Sequence, residues 1–260
     1  MNAAVGARDG ALLFARFAYP PNALGLCGPD DAPALLQQTA GRVSDPGLRQ
    51  LARGFLGAWP YLELIAAANR IDDPLDARVV ESYWIGNALL ERVPVALLGG
   101  SLETRFKSRA AADWSKLCES LEAGARPHHN FHVFEVYPWV GLLRRGQAGE
   151  PLRILDRCRI RWGTVEKVVG DQALVRSSPL RWAQGSLRLG PARAELVRWR
   201  DGGEGLAGVP RPGEAVALHW DWLCHRLRPG QLRALRDETA RQLALVNHGV
   251  RHPGPAAVLA

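Results

Sequence analysis

The chain has 260 residues, of which 47% are hydrophobic and 23% charged, a composition typical of folded globular proteins. No apolar run reaches the roughly 18 residues that a membrane-spanning helix needs, and the N-terminus lacks the residue order of a secretory signal. We therefore expect a cytoplasmic protein that makes no use of a membrane. Its cysteines are widely spaced, without a C-x-x-C pair, which predicts reduced thiols rather than disulfides.

The net charge of +7 is carried by the second part of the chain. Residues 151–260 contain 18 Lys and Arg against 10 Asp and Glu, whereas residues 1–150 contain 15 against 16. Arginine favours forked contacts with carboxylates and phosphates, but an Arg-rich composition also arises without any anionic partner. We do not expect nucleic acid to be the main partner.

The first part of the chain, residues 1–146, is predicted to form an all-helical domain, because its apolar residues recur at helical spacing. Pro20 and Pro21 are expected to stop the first helix, and Pro46 occupies a first-turn position, where proline is favoured. The predicted helices cover residues 10–19, 32–40, 45–58, 61–69, 76–93 and 102–123.

A histidine-rich segment, residues 127–139, ends this domain. On a helix, His128, His132 and Glu135 would share one face, with His129 beside them. Imidazoles combined with a carboxylate suit iron, nickel or zinc. The segment therefore indicates either a metal site or a histidine-rich turn with ordinary hydrogen bonds.

Two further features of the helical domain are candidates for a site. Glu81, Tyr83, Trp84 and Asn87 place polar and aromatic groups on one helix, which is typical either of a pocket or of groups that satisfy the local backbone. Cys27 lies in a loop rich in Gly and Pro. That loop either presents its thiol at a site or simply contains a cysteine.

Residues 144–152 are rich in Gly, Pro and charge, which predicts a linker. After it the apolar period changes to two, which indicates strands. Strands are predicted over residues 158–169, 172–177, 186–189, 192–200 and 214–222, followed by a helix over residues 228–247. We therefore expect an α+β protein, with a small OB-like β-barrel and a C-terminal helix in residues 153–250.

A particular order of residues runs through this second domain. It consists of Cys158, Gly163, the turn Gly170-Asp171, the strand residues Ala173-Leu174-Val175, the turn Pro212-Gly213-Glu214 and finally His219 before an amphipathic helix. In this order the domain resembles the HypC/HupF family of [NiFe] hydrogenase maturation chaperones. The resemblance does not extend to the helical domain.

The resemblance implies that Cys158 binds the iron of an Fe(CN)₂CO fragment, with His219 as the second key residue. The implied partner is a HypD-type maturation protein or the precursor of the hydrogenase large subunit, and the implied role is that of a chaperone rather than an enzyme. A thiolate is a soft ligand that suits such iron, and we expect Arg157, Arg159 and Arg161 to favour the thiolate. Unlike the family's cysteine at the processed N-terminus, Cys158 is internal and has no free amine beside it.

Two other functions stay open. The histidines, Glu135 and Glu81 of the helical domain are candidates for the site of a non-heme iron enzyme, and an OB-like barrel with a basic face is a candidate binder of single-stranded nucleic acid. No G-x-S-x-G, P-loop or G-x-G-x-x-G motif occurs, so hydrolase, kinase and dinucleotide-binding functions lack their usual residues.

Overall fold

The computed structural model describes residues 9–41, 45–106 and 114–251, and it is a mixed α+β fold. The helices of the described chain are α1 Gly10–Ala23, α2 Ala32–Gly41, α3 Pro46–Arg53, α4 Trp59–Ala68, α5 Ala77–Trp84, α6 Val95–Phe106, α7 Trp114–Glu122, α8 His129–Phe131, α9 Trp139–Arg144, α10 Gly149–Cys158 and α11 Pro229–Arg251. A 3₁₀ turn covers Leu90–Arg92, and a π-helical turn covers His132–Val136. None of the described helices is long and apolar enough to cross a bilayer.

Aspartates begin three of the helices. The carboxylates of Asp9, Asp45 and Asp76 accept hydrogen bonds from backbone N–H groups in the first turns of α1, α3 and α5. These N–H groups have no partner within the helix itself, so a side-chain acceptor stabilises the start of the helix. The predicted first-turn position of Pro46 in α3 is confirmed.

Three predicted helix ends are wrong. Helix α3 ends at Arg53 rather than at residue 58, because Gly54, a poor helix former, follows it as the C-cap. Helix α1 continues through Pro20 and Pro21 to Ala23, because both proline rings are buried in its last turns and their packing offsets the missing N–H groups. Helix α5 ends at Trp84 rather than near residue 93, since Gly86 adopts a φ of 103°, which a helix does not allow. The helix predicted over residues 102–123 passes through residues 107–113, which lie outside the described residues.

The strands of the second half are β1 Arg161–Val169, β2 Gln172–Ser177, β3 Leu180–Ala183, β4 Ser186–Leu189, β5 Arg193–Arg198, β6 Arg200–Asp201, β7 Glu204–Gly205, β8 Ala215–His219 and β9 Trp222–Arg226. Five of them form a closed barrel in the order β1-β2-β5-β9-β8. Strand β8 pairs with β1 and closes the sheet, while β5 and β9 run parallel. The pairs β3-β4 and β6-β7 form separate hairpins.

Three predictions about this half are wrong. The expected linker contains the start of α10, so Cys158 ends a helix and β1 begins only at Arg161. The single strand expected over residues 214–222 is a hairpin of β8 and β9, because Trp220 has a φ of 51° and turns the chain. The strand β3 was not predicted, since its four residues are too few for the apolar period to be visible.

The largest hydrophobic core crosses the predicted boundary between the two domains. It contains Phe14 and Phe17 of α1 together with Ala217 of β8, Cys224 of β9 and Leu235 of α11. Burial of this shared surface provides much of the driving force for folding. The helical half and the barrel are therefore packed against each other, and residues from both meet in the interior.

Candidate metal centre

Three potential metal ligands meet where the helical half contacts the barrel. His129 lies in α8, Cys158 is the last residue of α10, and His219 is the last residue of β8. One ligand atom from each lies within 4.8 Å of the other two. We call these residues the ligand group. It is the only such set of three or more His, Cys, Asp or Glu residues in the described part of the chain.

His219 is fully buried and points one ring nitrogen into this group. Its Nδ1 lies 2.6 Å from the backbone carbonyl oxygen of Phe17 in α1. A carbonyl only accepts, so Nδ1 carries the proton and Nε2 keeps its lone pair. Nε2 is buried and makes no hydrogen bond of ordinary geometry among the described residues, although the backbone of Cys158 lies close enough to the ring to raise its pKa slightly against the effect of burial. Burial lowers the pKa of His219 to about 4, so the ring is neutral near pH 7, the state in which it binds metals.

His129 is held between a tyrosine and the backbone of the cysteine. Its Nε2 lies 2.9 Å from the carbonyl oxygen of Cys158, and its Nδ1 lies 3.3 Å from the hydroxyl of Tyr83 in α5. Burial, followed by the neighbouring His219, lowers the pKa of His129 well below its usual value. A carbonyl only accepts, so Nε2 carries the proton and donates it to Cys158, while the Tyr83 hydroxyl donates to Nδ1. The hydroxyl can also accept, so Nε2 becomes available to a metal when the proton moves to Nδ1 and the hydrogen bond to Cys158 breaks.

Cys158 is the ligand that is partly exposed. Burial of the thiol raises its pKa above the ordinary value, Cys27 raises it further, and the indole N–H of Trp220 opposes the rise. The thiol is therefore protonated until a cation displaces the proton, as metals do to coordinating thiols. The structure describes all four cysteines as free thiols.

The expectation that neighbouring arginines favour the thiolate is wrong. Arg157 pairs with Glu195 and Asp221 at 2.8 and 3.0 Å, and Arg159 pairs with Asp156 at 3.0 Å. Arg161 donates to the carbonyl oxygen of Trp220 at 2.6 Å and lies 3.5 Å from Glu195. These contacts occupy the guanidinium groups, and none of them lowers the pKa of the thiol.

Aromatic rings form one side of the site. The ring centroid of Trp84 lies 4.6 Å from that of His129 and 5.7 Å from that of His219, and Phe17 stacks on Trp84 at 5.5 Å. The two imidazole rings are themselves 5.1 Å apart, nearly perpendicular. Such walls exclude water, which strengthens every electrostatic interaction inside the site.

The other residues of the histidine-rich segment do not join the ligand group. Nδ1 of His128 accepts from the backbone of Asn130 and caps α8, and burial lowers its pKa to about 4. His132 Nδ1 lies 3.1 Å from the Tyr61 hydroxyl. The face predicted to combine His128, His132 and Glu135 does not form, because a helix of three residues and a π-helical turn replace a regular helix.

Three predicted residues lie elsewhere. Glu135 accepts from Ser120 and Gln242 at 3.0 Å each, and Glu81 accepts from Arg228 and Gln231 at the start of α11. Cys27 lies in the loop after α1, and burial raises the pKa of its thiol to about 12. Cys27 raises the pKa of the Cys158 thiol, so it lies near the ligand group, but it is not one of its three members.

Three residues of the site could not be assigned to it from the sequence. Tyr83 and Trp84 stand out as a polar-aromatic set on one helix, but their contact with His129 depends on the packing of α5 against α8. Trp220 follows His219 directly and was predicted to lie in a continuous strand. Only its left-handed backbone conformation, which is rare for a residue other than glycine, brings its indole to the thiol.

The fold and the site together define an α+β protein with a buried candidate metal centre of two histidines and one cysteine. The chain belongs to DUF6390, a family of unknown function, whose model matches residues 6–253. This range includes all three members of the ligand group. No curated protein and no solved structure matches the chain.

Proposed function

We propose that the protein is an accessory factor of [NiFe] hydrogenase maturation that carries an iron–cyanide–carbonyl fragment on the ligand group. The observation that carries the proposal is the meeting of Cys158 and His219, the two residues that the resemblance to HypC/HupF chaperones singles out, within 4.8 Å together with His129. The fragment is cargo for delivery, and the protein acts as a chaperone rather than as an enzyme.

The topology of the barrel favours this assignment. Without the short hairpins β3-β4 and β6-β7, the barrel strands in chain order are β1, β2, β5, β8 and β9, here counted as first to fifth. Around the barrel their order is first, second, third, fifth, fourth, and the fourth pairs with the first. The third and fifth run parallel. A five-stranded barrel with this order is what we expect of an OB-like domain. His219 ends the fourth barrel strand, whereas the resemblance implies a histidine near the end of the last strand.

The donor set suits the proposed cargo. Neutral imidazoles and a thiolate are the ligands that iron and nickel accept from proteins, and the unpartnered Nε2 of His219 is a buried lone pair without a hydrogen bond. An octahedral iron bound by three protein atoms keeps three positions for other ligands, and Fe(CN)₂CO brings three diatomic groups. The number of protein ligands therefore matches the number of vacant positions on the fragment.

His129 offers an explanation for the internal position of Cys158. In the chaperones that the barrel resembles, a free N-terminal amine lies beside the cysteine. Here the Nε2 of His129 lies 2.9 Å from the carbonyl oxygen of Cys158. We infer that this imidazole, supplied by the helical half, provides the nitrogen donor that an internal cysteine lacks.

The alternative functions draw less support. An iron enzyme based on His128, His132 and Glu135 would need their side chains to converge, and these side chains contact different partners. A nucleic-acid binder would need unpaired basic groups on the barrel. Many barrel arginines instead pair with acidic neighbours, as in Arg176 with Glu166 and Arg200 with Asp171.

Infrared spectroscopy tests the proposal. The full chain is produced together with the hydrogenase maturation proteins, isolated without oxygen and examined for cyanide and carbonyl stretching bands. We expect bands from the wild type and from Cys118→Ala, a control cysteine of α7 outside the ligand group, and their loss in Cys158→Ala and His219→Gln. Wild-type protein that copurifies with the machinery but lacks these bands would contradict iron-fragment carriage.

A pull-down from the same cells tests the partner. We expect the large-subunit precursor or a HypD-type protein to be retained by the wild type. If the cyanide and carbonyl bands are present but neither protein is retained, the assignment of the cargo stands and the assignment of the partners is contradicted.

A further inference from the structure

The end of helix α10 is held by two hydrogen bonds from the three-residue helix α8. His129 donates from Nε2 to the carbonyl oxygen of Cys158 at 2.9 Å, and the side-chain oxygen of Asn130 accepts from the backbone N–H of Ile160 at 3.1 Å. Both bonds lie in the interior, because His129, Asn130 and Ile160 are each more than nine-tenths buried. Helix α8 therefore holds the segment at which the chain leaves α10 and enters β1.

The carbonyl that His129 binds belongs to the cysteine of the ligand group itself. Cys158 is the last residue of α10, so its carbonyl has no partner within the helix. The other ring nitrogen of His129, Nδ1, lies 3.3 Å from the Tyr83 hydroxyl in α5. Nε2 is therefore the nitrogen on the side of Cys158, and it is the atom that His129 can offer to a metal shared with that thiol.

Nε2 of His129 cannot serve both partners at once. A bond to the carbonyl needs a proton on Nε2, whereas a bond to a metal needs its lone pair. For a metal to bind, the proton has to move from Nε2 to Nδ1, which keeps the ring neutral. The Tyr83 hydroxyl then accepts from Nδ1 instead of donating to it. Metal binding at His129 thus requires the loss of its hydrogen bond to Cys158.

The second hydrogen bond of α8 does not compete with a metal. Asn130 is not a member of the ligand group, and its amide nitrogen donates to the Thr239 hydroxyl of α11 at 3.2 Å. Metal binding does not remove the bond to Ile160, which keeps α8 beside α10 when the bond to Cys158 is lost. The imidazole therefore exchanges partners on a fixed support, and the exchange can be reversed without unpacking of the core.

We propose that His129 is a reversible ligand, which binds the carbonyl oxygen of Cys158 in the empty protein and the metal of the cargo in the loaded protein. This inference rests on the proposed function and deepens it, because it names the regulation of the same site. A carrier has to give up its cargo, and the carbonyl competes with the cargo for Nε2. Return of His129 to the carbonyl favours release, since the hydrogen bond that forms offsets part of the metal bond that breaks.

Isotope labelling of a single peptide bond tests the exchange in the wild-type chain. Cys158-Arg159 is the only Cys-Arg dipeptide of the sequence, so carbonyl ¹³C in cysteine and ¹⁵N in arginine select its resonance alone. We expect zinc to move the carbonyl resonance of Cys158 upfield, since the carbonyl loses a hydrogen bond. Imidazole ¹⁵N spectra should show the proton of His129 on Nε2 in the empty protein and on Nδ1 in the zinc-loaded protein.

His132 is the internal control for the imidazole spectra. Its Nδ1 bonds to Tyr61 outside the ligand group, so zinc should leave its protonated nitrogen unchanged. A proton that remains on Nε2 of His129 in the zinc-loaded protein would overturn the inference and leave Cys158 and His219 as ligands. Failure of the wild type to bind zinc would instead contradict the proposed function and this inference with it.

His129→Gln separates the loss of the hydrogen bond from the binding of zinc to the thiol. The glutamine amide can donate to the Cys158 carbonyl in both states, so zinc should shift that carbonyl resonance much less than in the wild type. An equal shift in the variant would trace the change to the thiolate and contradict the exchange.

The zinc affinities of His129→Gln and His219→Gln measure the competition. Only His129 gives up a hydrogen bond in order to bind, so His129→Gln should lose about three- to ten-fold less affinity than His219→Gln, the worth of one neutral hydrogen bond. Equal losses in the two variants would contradict a competing carbonyl.

Discussion

The ligand group and the remainder of the histidine-rich segment both contain buried histidines, but these histidines differ in their hydrogen-bond partners. Burial lowers their pKa values, to about 4 at His219 and about 3 at His132. His219 nevertheless keeps a buried nitrogen without a partner beside a thiol, whereas His132 bonds to Tyr61. Burial of a histidine therefore does not mark a metal site. What marks it is the convergence of several lone pairs on one point.

Removal of a ligand should have the largest effect. We expect His219→Gln and Cys158→Ala to weaken cobalt(II) or zinc binding by at least about 1,000-fold, beyond the ten- to hundred-fold typical of outer residues. The glutamine amide can still donate to the Phe17 carbonyl, so the fold should survive. Competition with a chelator of known affinity measures the change.

The matched control for this prediction is Glu135→Gln in the histidine-rich segment, which should leave metal affinity within about two-fold of the wild type. A loss of affinity equal to that of His219→Gln would show that the segment, and not the ligand group, holds the metal.

Glu135 should instead control stability against pH. Burial raises the pKa of its carboxyl to about 7, while Ser120, Arg144 and Gln242 oppose the rise. Between the ordinary value of 4.5 and about 7, the folded state binds one proton more than the unfolded state. The free energy of unfolding should therefore fall as the pH rises through this window, by about 3 kcal/mol.

Denaturant unfolding of wild type and Glu135→Gln from pH 4.5 to 8 measures this contribution. The free energy of unfolding of Glu135→Gln, relative to that of the wild type, should rise with pH and level off above pH 7. A constant difference would contradict a raised pKa.

Tyr83 and Tyr61 offer the sharpest test of the comparison, since each hydroxyl contacts one histidine. Tyr83 bonds to His129 in the ligand group, and Tyr61 bonds to His132 outside it. We expect Tyr83→Phe to weaken zinc binding about ten-fold, because an outer partner orients its ligand. Tyr61→Phe should leave zinc affinity unchanged. Equal effects in calorimetric titrations would contradict the assignment of His129 as a ligand.

Glu81 should show the smallest effect. Its carboxylate joins α5 to α11 through Arg228 and Gln231, and Arg228 is largely exposed, with 66% of its side chain accessible. Exposed ion pairs contribute about 0–1 kcal/mol. Glu81→Gln should lower the free energy of unfolding by no more than that and leave metal affinity unchanged. A marked loss of metal affinity in Glu81→Gln would show that Glu81 belongs to the metal site.

Much of the fold could be predicted because local patterns specify it. The alternation of Ala173 and Val175 inside with exposed neighbours identified β2 with its observed bounds, and Pro46 identified the start of α3. The hairpin at Trp220 could not be predicted, because a left-handed tryptophan contradicts the residue's own preference and is held by contacts with Arg157 and Arg161.

The sequence by itself determined the mixed α+β class and most of the helices and strands, and its resemblance to HypC/HupF chaperones singled out Cys158 and His219 as a candidate pair. It also supplied every donor of the ligand group, including His129. Only the tertiary structure decided which donors converge. Helices α8 and α10 and strand β8 are far apart in the chain, and their meeting depends on one hydrophobic core that joins the helical half to the barrel. Local periodicity depends on neighbouring residues, whereas the position of a lone pair depends on every element packed around it.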